Sequence, residues 1–247
     1  MKAWMGRNAR EFLRDPLTLI FGVGLPILML GMMAFINSAV PVTVWQFLPE
    51  KFVPAMAVFS LAFMTLFSGL LLAKDRTSAF LSRICASPLR ASAYILGYLL
   101  PMLLVALVQG LVCLFAGLLF GLTFSWRIFA VELALLPYAV LAIATGLLLG
   151  TLLNDKQVGS ISGGLLVTLT SLAGGIWFDL RMFSDAMQKV LYALPFAPAV
   201  DTARAAYAGD WASMRSHLLV TVLWAAGMLA LTIWLFHRRK ENGKLTA

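Results

Sequence analysis

Six apolar stretches, roughly 17–36, 52–73, 94–120, 128–153, 157–178 and 217–236, make up most of this 247-residue chain. Each meets the requirement of about 20 residues for a helix crossing a hydrocarbon core of about 30 Å. The longer stretches must tilt or emerge from the core. Inside lipid no water pairs with backbone N–H and C=O groups, so such spans must satisfy them internally, as helices do. Charged residues are 12% of the chain and hydrophobic ones 61%, whereas a soluble domain carries about 25% charged residues. The sequence therefore predicts an all-α integral membrane protein with six transmembrane helices, and 1–247 as a single transmembrane domain.

Charge sets an expected orientation. With the N-terminus in the cytoplasm, six spans return the C-terminus to the same side. The inner segments then hold Lys2, Arg7, Arg10 and Arg14, then Lys74, Arg76, Arg83 and Arg90, then Lys156, and finally Arg238, Arg239, Lys240 and Lys244. That is 13 of the 19 basic residues, and the two short outer loops keep only Lys51 and Arg127. The positive-inside rule favours this placement, with both termini cytoplasmic in a plasma (bacterial inner) membrane. Arg181, Lys189, Arg204 and Arg215 fall in a longer outer segment, where Asp179, Asp185, Asp201 and Asp210 balance them. Trp45, Trp126, Trp177 and Trp211 lie near outer boundaries, where an aromatic belt belongs. Basic residues clustered at span ends do not describe a nucleic-acid surface. Cys85 and Cys113 are the only cysteines, one cytoplasmic and one mid-membrane in this topology, so they are not expected to pair.

The segments between spans carry their own patterns. Residues 1–16 begin with an amphipathic stretch over 2–14. Trp4, Met5, Ala9, Phe12 and Leu13 occupy one half of its helical wheel, and Arg7, Arg10, Glu11 and Arg14 the other. Such a helix lies in the inner interface, either as a plain anchor or with a mechanical role, and Asp15-Pro16 turns the chain into the membrane. In the inner segment 74–93, Phe80, Leu81, Ile84 and Cys85 form an apolar stripe at helical spacing, opposite Arg76 and Arg83, until Pro88 ends the helix. The outer segment 179–216 reads as two short helices. Ser184 is placed to cap the first, and Met187, Val190, Leu191 and Leu194 give it an apolar face before Pro195 breaks it. Pro198 opens the second, Asp201 pairs with Arg204, and Gly209 closes it. After the Gly174-Gly175 break, two such helices can dip into the outer leaflet. They would form a lid, with Trp177, Phe178, Leu191, Leu194 and Pro195 as outer-gate candidates.

Within the spans, small and polar residues stand out. Gly159 and Gly163 form a G-x-x-x-G, repeated by Ser160 and Gly164. This spacing permits close helix approach, either within one chain or as a dimer interface of Gly159, Gly163 and Gly164. Gln109 is polar in mid-span three and is expected to bond a neighbouring helix. Glu132, about one turn into span four, is either an interfacial carboxylate near Arg127 or a helix N-terminus, or a contact in a substrate path. The sequence has no phosphate-cradling G-x-x-x-x-G-K-[ST] loop, no H-E-x-x-H and no cysteine cluster, so no nucleotide, catalytic or metal site is expected. Nearly no ionisable residue lies inside a span, which argues against an ion-coupled carrier. A secondary transporter and an intramembrane enzyme remain the alternatives to a subunit driven from outside.

The order of these pieces is similar to a known family. It runs from the basic amphipathic helix through Arg14-Asp15-Pro16, Pro26, the basic loop ending Ala86-Ser87-Pro88-Leu89, then Gly97 and Pro101. It continues through Gly174-Gly175-Ile176-Trp177-Phe178 and Leu194-Pro195-Phe196 to Val200-Asp201-Thr202-Ala203-Arg204. Over nearly its whole length the chain resembles the permease subunit of type-2 ABC exporters, which move drugs, lipids or polysaccharides outward. The resemblance implies a connecting helix at 1–16, a coupling helix at 75–87 and paired outer re-entrant helices at 184–208. It implies two partners, a separate ABC ATPase that binds ATP and Mg and a second permease, identical or paralogous, among membrane lipids. Phe80, Leu81 and Ile84 would fill a cleft on the ATPase with Asp75, Arg76 and Arg83 as a polar rim and Pro88 as the stop, unless the stripe packs under the chain's own spans.

Overall fold

The computed structural model describes residues 20–39, 45–76 and 91–241. Among them every regular element is a helix. Helix α1 covers 20–39, opening with a π-helical turn at Ile20–Gly24. Helices α2 (Pro49–Arg76), α3 (Ala91–Leu119) and α4 (Arg127–Leu152) follow. Helix α5 covers 155–173 as three consecutive pieces, the middle one π-helical at Gly159–Leu166. Then come α6 (Asp185–Ala193), α7 (Phe196–Ala208) and α8 (Trp211–Glu241).

Among the described residues five helices, α1 to α4 and α8, are long and apolar enough to cross a membrane. The expected fifth stretch, 157–178, differs. Its helix stops at Ala173, and at about 1.5 Å per residue it measures about 28 Å. It starts on a capping box: Gln157 N–H donates to Asn154 Oδ1 (2.9 Å) while Asn154 N–H donates to Gln157 Oε1 (3.2 Å). This satisfies two donors of the first turn. The last helix begins at Trp211, so the segment between α5 and α8 ends at 210 rather than 216.

Helix α2 is the axis of the bundle. It is buried along almost its whole length and packs on α1, α3, α4, α5 and α7. Its closest neighbour is α4. The absent side chain of Gly146 brings α4 against the Thr65 carbonyl and Ser68 of α2, and a Cβ on Gly150 would sit 2.5 Å from Gly69 O. Without solvent to squeeze apolar surfaces together, such backbone approach is what holds helices in lipid. Ser68 Oγ donates to Ile143 O across this seam (3.1 Å), Thr232 Oγ1 to Ala144 O from α8 (3.0 Å), and Gln109 Nε2 to Ser60 O from α3 (2.6 Å). The outward sides are greasy: Phe35, Leu104, Val108, Leu133 and Leu223 are each more than 60% exposed. Continuous apolar surface of this extent is foreign to a water-exposed monomer.

The two ends of the bundle differ. At one, which we call the tryptophan end, exposed Trp45, Trp126 and Trp211 flank the starts of α2, α4 and α8. At the other, the basic end, stand Lys74, Arg76, Lys156 and Arg238 to Lys240.

Candidate functional site

At the basic end four helices are tied by polar side chains. Asp75, in the last turn of α2, is 3% exposed and accepts a hydrogen bond from Tyr98 of α3 (2.5 Å). The Tyr94 hydroxyl lies 3.2 Å from that of Tyr98, and its ring stacks on Phe236 of α8 at 4.4 Å. Arg76 Nη1 donates to Gly150 O (3.0 Å) and Leu153 O (3.1 Å), and Arg239 Nη1 to Thr151 O (2.8 Å). These guanidiniums satisfy carbonyls that the end of α4 leaves unpaired and complement its negative dipole end.

This arrangement bears on one expectation. A rim of Asp75 and Arg76 around a docked partner requires both side chains to leave the chain's own bundle. Helix α2 instead continues through Arg76, so both residues belong to its last turn and are bound into α3 and α4. The sequence does not mark Tyr94 and Tyr98 as partners of Asp75, because two phenols in an apolar run read as core. Their spacing of four, facing a span-end aspartate, was the available signal. Phe80, Leu81, Arg83, Ile84 and Pro88, like the expected connecting helix at 1–16, lie outside the described residues.

At the tryptophan end α6 and α7 form a hairpin. Gly209 closes α7 with a left-handed backbone (φ +80°), as expected of it. Arg127 Nη1 donates to Ala208 O (2.9 Å), fixing this end of α7 beside the start of α4. The other end of α7, at Phe196, shares a cleft with Tyr138, three turns into α4. The hairpin therefore reaches about 16 Å down the bundle. Helix α7 begins at Phe196, two residues before Pro198, which sits within the first turn where its missing N–H is harmless. Ser184 occupies the position before α6, but its hydroxyl makes no capping bond.

Arg204 organises this end. It donates to Lys51 O (3.2 Å), Gly175 O (3.0 Å) and Gln46 Oε1 (3.4 Å), and pairs with Asp201 at 3.6 Å. Burial lowers its pKa from the usual guanidinium value, and Asp201 opposes that shift. Asp201 also accepts from the Tyr192 hydroxyl (2.7 Å), whose pKa rises first through burial and then through this bond. Three acceptors and a carboxylate on one shielded cation outweigh an exposed pair such as His237–Glu241, of the kind worth about 0–1 kcal/mol.

The remaining candidates scatter. Trp177 packs edge-on against Phe52 of α2 at 5.7 Å, and Phe178 against Phe183 at 5.6 Å. Leu194 and Pro195 instead line the cleft beside Tyr138, and Leu191 is half-buried. Gln109 bonds α2 as expected. Glu132 lies not on Arg127 but against Gly110 of α3, where its Oε2 is buried without a hydrogen-bond partner. On α5, a Cβ on Gly159 or Gly164 would meet nothing within 4 Å, and one on Gly163 would touch only Leu66 (3.4 Å). Packing among the described residues thus leaves room for a Cβ at both Gly159 and Gly164, with Gly164 exposed.

A search of curated proteins finds no match. The family profile described as ABC-2 family transporter protein matches residues 42–236, from just before α2 to near the end of α8. A match over most of the chain, on a bundle of apolar helices, places this protein in the ABC-2 transporter family, as a membrane subunit.

Proposed function

We propose that the chain is the permease subunit of an ATP-driven exporter, which moves a hydrophobic or amphiphilic molecule (drug, lipid or glycan) out of the cytoplasm by alternating access. The family match over 42–236 carries this reading. Work would arrive from a separate ABC ATPase that binds ATP and Mg, since the sequence holds no phosphate-cradling loop of its own. In this reading α5 completes six spans, the basic end is cytoplasmic, the α6–α7 hairpin re-enters the outer leaflet, and a second permease packs on the first.

The basic-end junction refines the coupling site. Asp75 and Arg76 anchor the segment that follows them, and Phe80, Leu81 and Ile84 supply the contact with the ATPase. Buried aromatic anchors at interfaces carry about 2 kcal/mol or more. Phe80→Ala is expected to lose copurifying ATPase while the permease still elutes as a folded species, and Arg83→Glu to weaken the pair. Unchanged copurification and ATPase stimulation in both variants would sink the assignment and turn attention to residues 1–16.

A further inference from the structure

Two cavities lie one above the other along a single face of α8. The upper one, about 240 Å³, opens at the tryptophan end. His217 of α8 lines it, together with Tyr192 of α6 and three carboxylates and three cations. The lower one, about 170 Å³, is a cleft between α5 and α8 with α4 as its floor. Trp224 and Met228 line it, seven and eleven residues beyond His217, so the two cavities are separated by about 10 Å along the helix. The hairpin corner runs between them, held by Trp224 Nε1 donating to Ala193 O (2.9 Å). No residue of α6 is buried, so one flank of that corner is open to the surroundings.

Their chemistries are opposite. In the upper cavity Arg204 and Asp201 pair with each other. Lys51 and Arg181 are the other cations and Asp179 and Asp210 the other carboxylates, Asp179 accepting from Arg181 N–H (2.9 Å) and Asp210 from Ser213 N–H and Oγ. Two of each sign suit a ligand carrying both a phosphate and an ammonium. Lys51 Nζ already lies 5.1 Å from the centre of the Trp45 ring, an aromatic face of the kind that attracts ammonium groups. In the lower cleft the hydroxyls of Tyr138, Thr145 and Thr170 are engaged within the protein. Tyr138 and Thr170 bond each other (3.1 Å), and Thr145 donates to Leu141 O (2.8 Å). Water needs two to four polar partners, whereas hydrocarbon needs none, and the rest of the lining is mostly apolar: Leu141, Ala142, Leu166, Leu194, Phe196 and Met228.

We propose that the two cavities together hold one phospholipid with a zwitterionic headgroup of the phosphoethanolamine type, its head among Lys51, Arg181, Asp179 and Asp210 and one acyl chain in the cleft beside Leu141, Leu166 and Met228. The separation of about 10 Å matches the step from a headgroup layer some 5–8 Å deep into the hydrocarbon. An anionic headgroup would satisfy the cations but bring its net negative charge beside Asp179 and Asp210, which sets the selectivity. The inference rests on the proposed membrane orientation but not on any ATPase.

The full-length protein, delipidated in detergent, is titrated with phosphatidylethanolamine and with phosphatidylglycerol, and bound lipid is counted by native mass spectrometry. Phosphatidylethanolamine is expected to bind about tenfold more tightly, a modest ratio because exposed charges are screened. Thr145→Phe, which fills the cleft, and Lys51→Glu with Arg181→Glu, which reverse both cations, should each remove that preferred binding. Leu166→Phe serves the same purpose if Thr145→Phe fails to fold. Equal binding of the two lipids, or wild-type binding by a folded cleft-filled variant, would overturn the site and leave annular lipid only. Binding of free phosphoethanolamine that is indifferent to the cleft variants would also overturn it. Loss of ATPase copurification alters none of these readouts, so this site and the exporter reading fail separately.

Discussion

At the scale of single residues, the contacts that fix this bundle are made by groups that a hydropathy scan overlooks. Gly146 is the sharpest case. A methyl there would run into the Thr65 carbonyl and Ser68, and overpacking of this kind costs about 1–3 kcal/mol. Gly146→Ala is therefore expected to lower the thermal unfolding midpoint of the detergent-solubilised protein by several degrees, while Gly164→Ala, whose methyl meets nothing, leaves it unchanged. Equal midpoints would show that α2 and α4 are free to part. Gln109 was legible beforehand, because an amide in mid-span has few choices besides a neighbouring helix. Glu132 was not. Its nearest cation in sequence, Arg127, is drawn away by the carbonyls closing α7, an interaction between residues 80 apart that no local pattern encodes. Asp75 was misplaced for a related reason. Charge marks where an apolar run ends, but the α2 backbone continues to Arg76, and Tyr98 is there to receive the carboxylate.

At the scale of helices, four of the five long spans follow the apolar runs within a few residues, and the last begins earlier, at Trp211. The length of an apolar run is set by the membrane and not by tertiary contacts, which is why it is readable from composition. The exception is α5. Its Gly- and Ser-rich sequence accommodates a π-helical stretch, and the helix stops at Ala173, before Gly174. Nothing in hydropathy distinguishes that from a regular span. The outer-gate group was legible as an amphipathic hairpin but not as a site, because Trp177 and Leu194 are sorted to different neighbours only by the fold. The proposed seam between two permeases would use the face of α5 that carries Gly164. Gly164→Leu should lower the yield of cross-linked dimer while leaving the unfolding midpoint of the single chain within a degree or so, since a Cβ at this position meets nothing within 4 Å among the described residues. A dimer that persists unchanged would remove α5 from the seam.

Across the whole molecule, the ends of the bundle are chemically distinct, and the proposed orientation rests on that asymmetry. Arg76, Lys156 and Arg239 gather at one end, with the first and last bound to the α4 carbonyls or the turn beyond them. Exposed Trp126 and Trp211 mark the other, beside the hairpin with its balanced charges. The translocation machinery retains Lys and Arg on the cytoplasmic side, and tryptophan settles at headgroup depth. Tryptophan belts form at both interfaces, so it is the Lys/Arg bias that favours the proposed cytoplasmic placement of the basic end, which would also present the segment 77–90 to a soluble ATPase. In a background of Cys85→Ser and Cys113→Ser, Ser78→Cys is expected to resist an impermeant thiol reagent in intact cells and to react once they are opened. Ser184→Cys, in an exposed position before α6, should react in both. Labelling of Ser78→Cys from outside would invert the molecule. It would move the hairpin and its lipid site to the inner leaflet and leave an ATPase nothing to grip at residues 77–90.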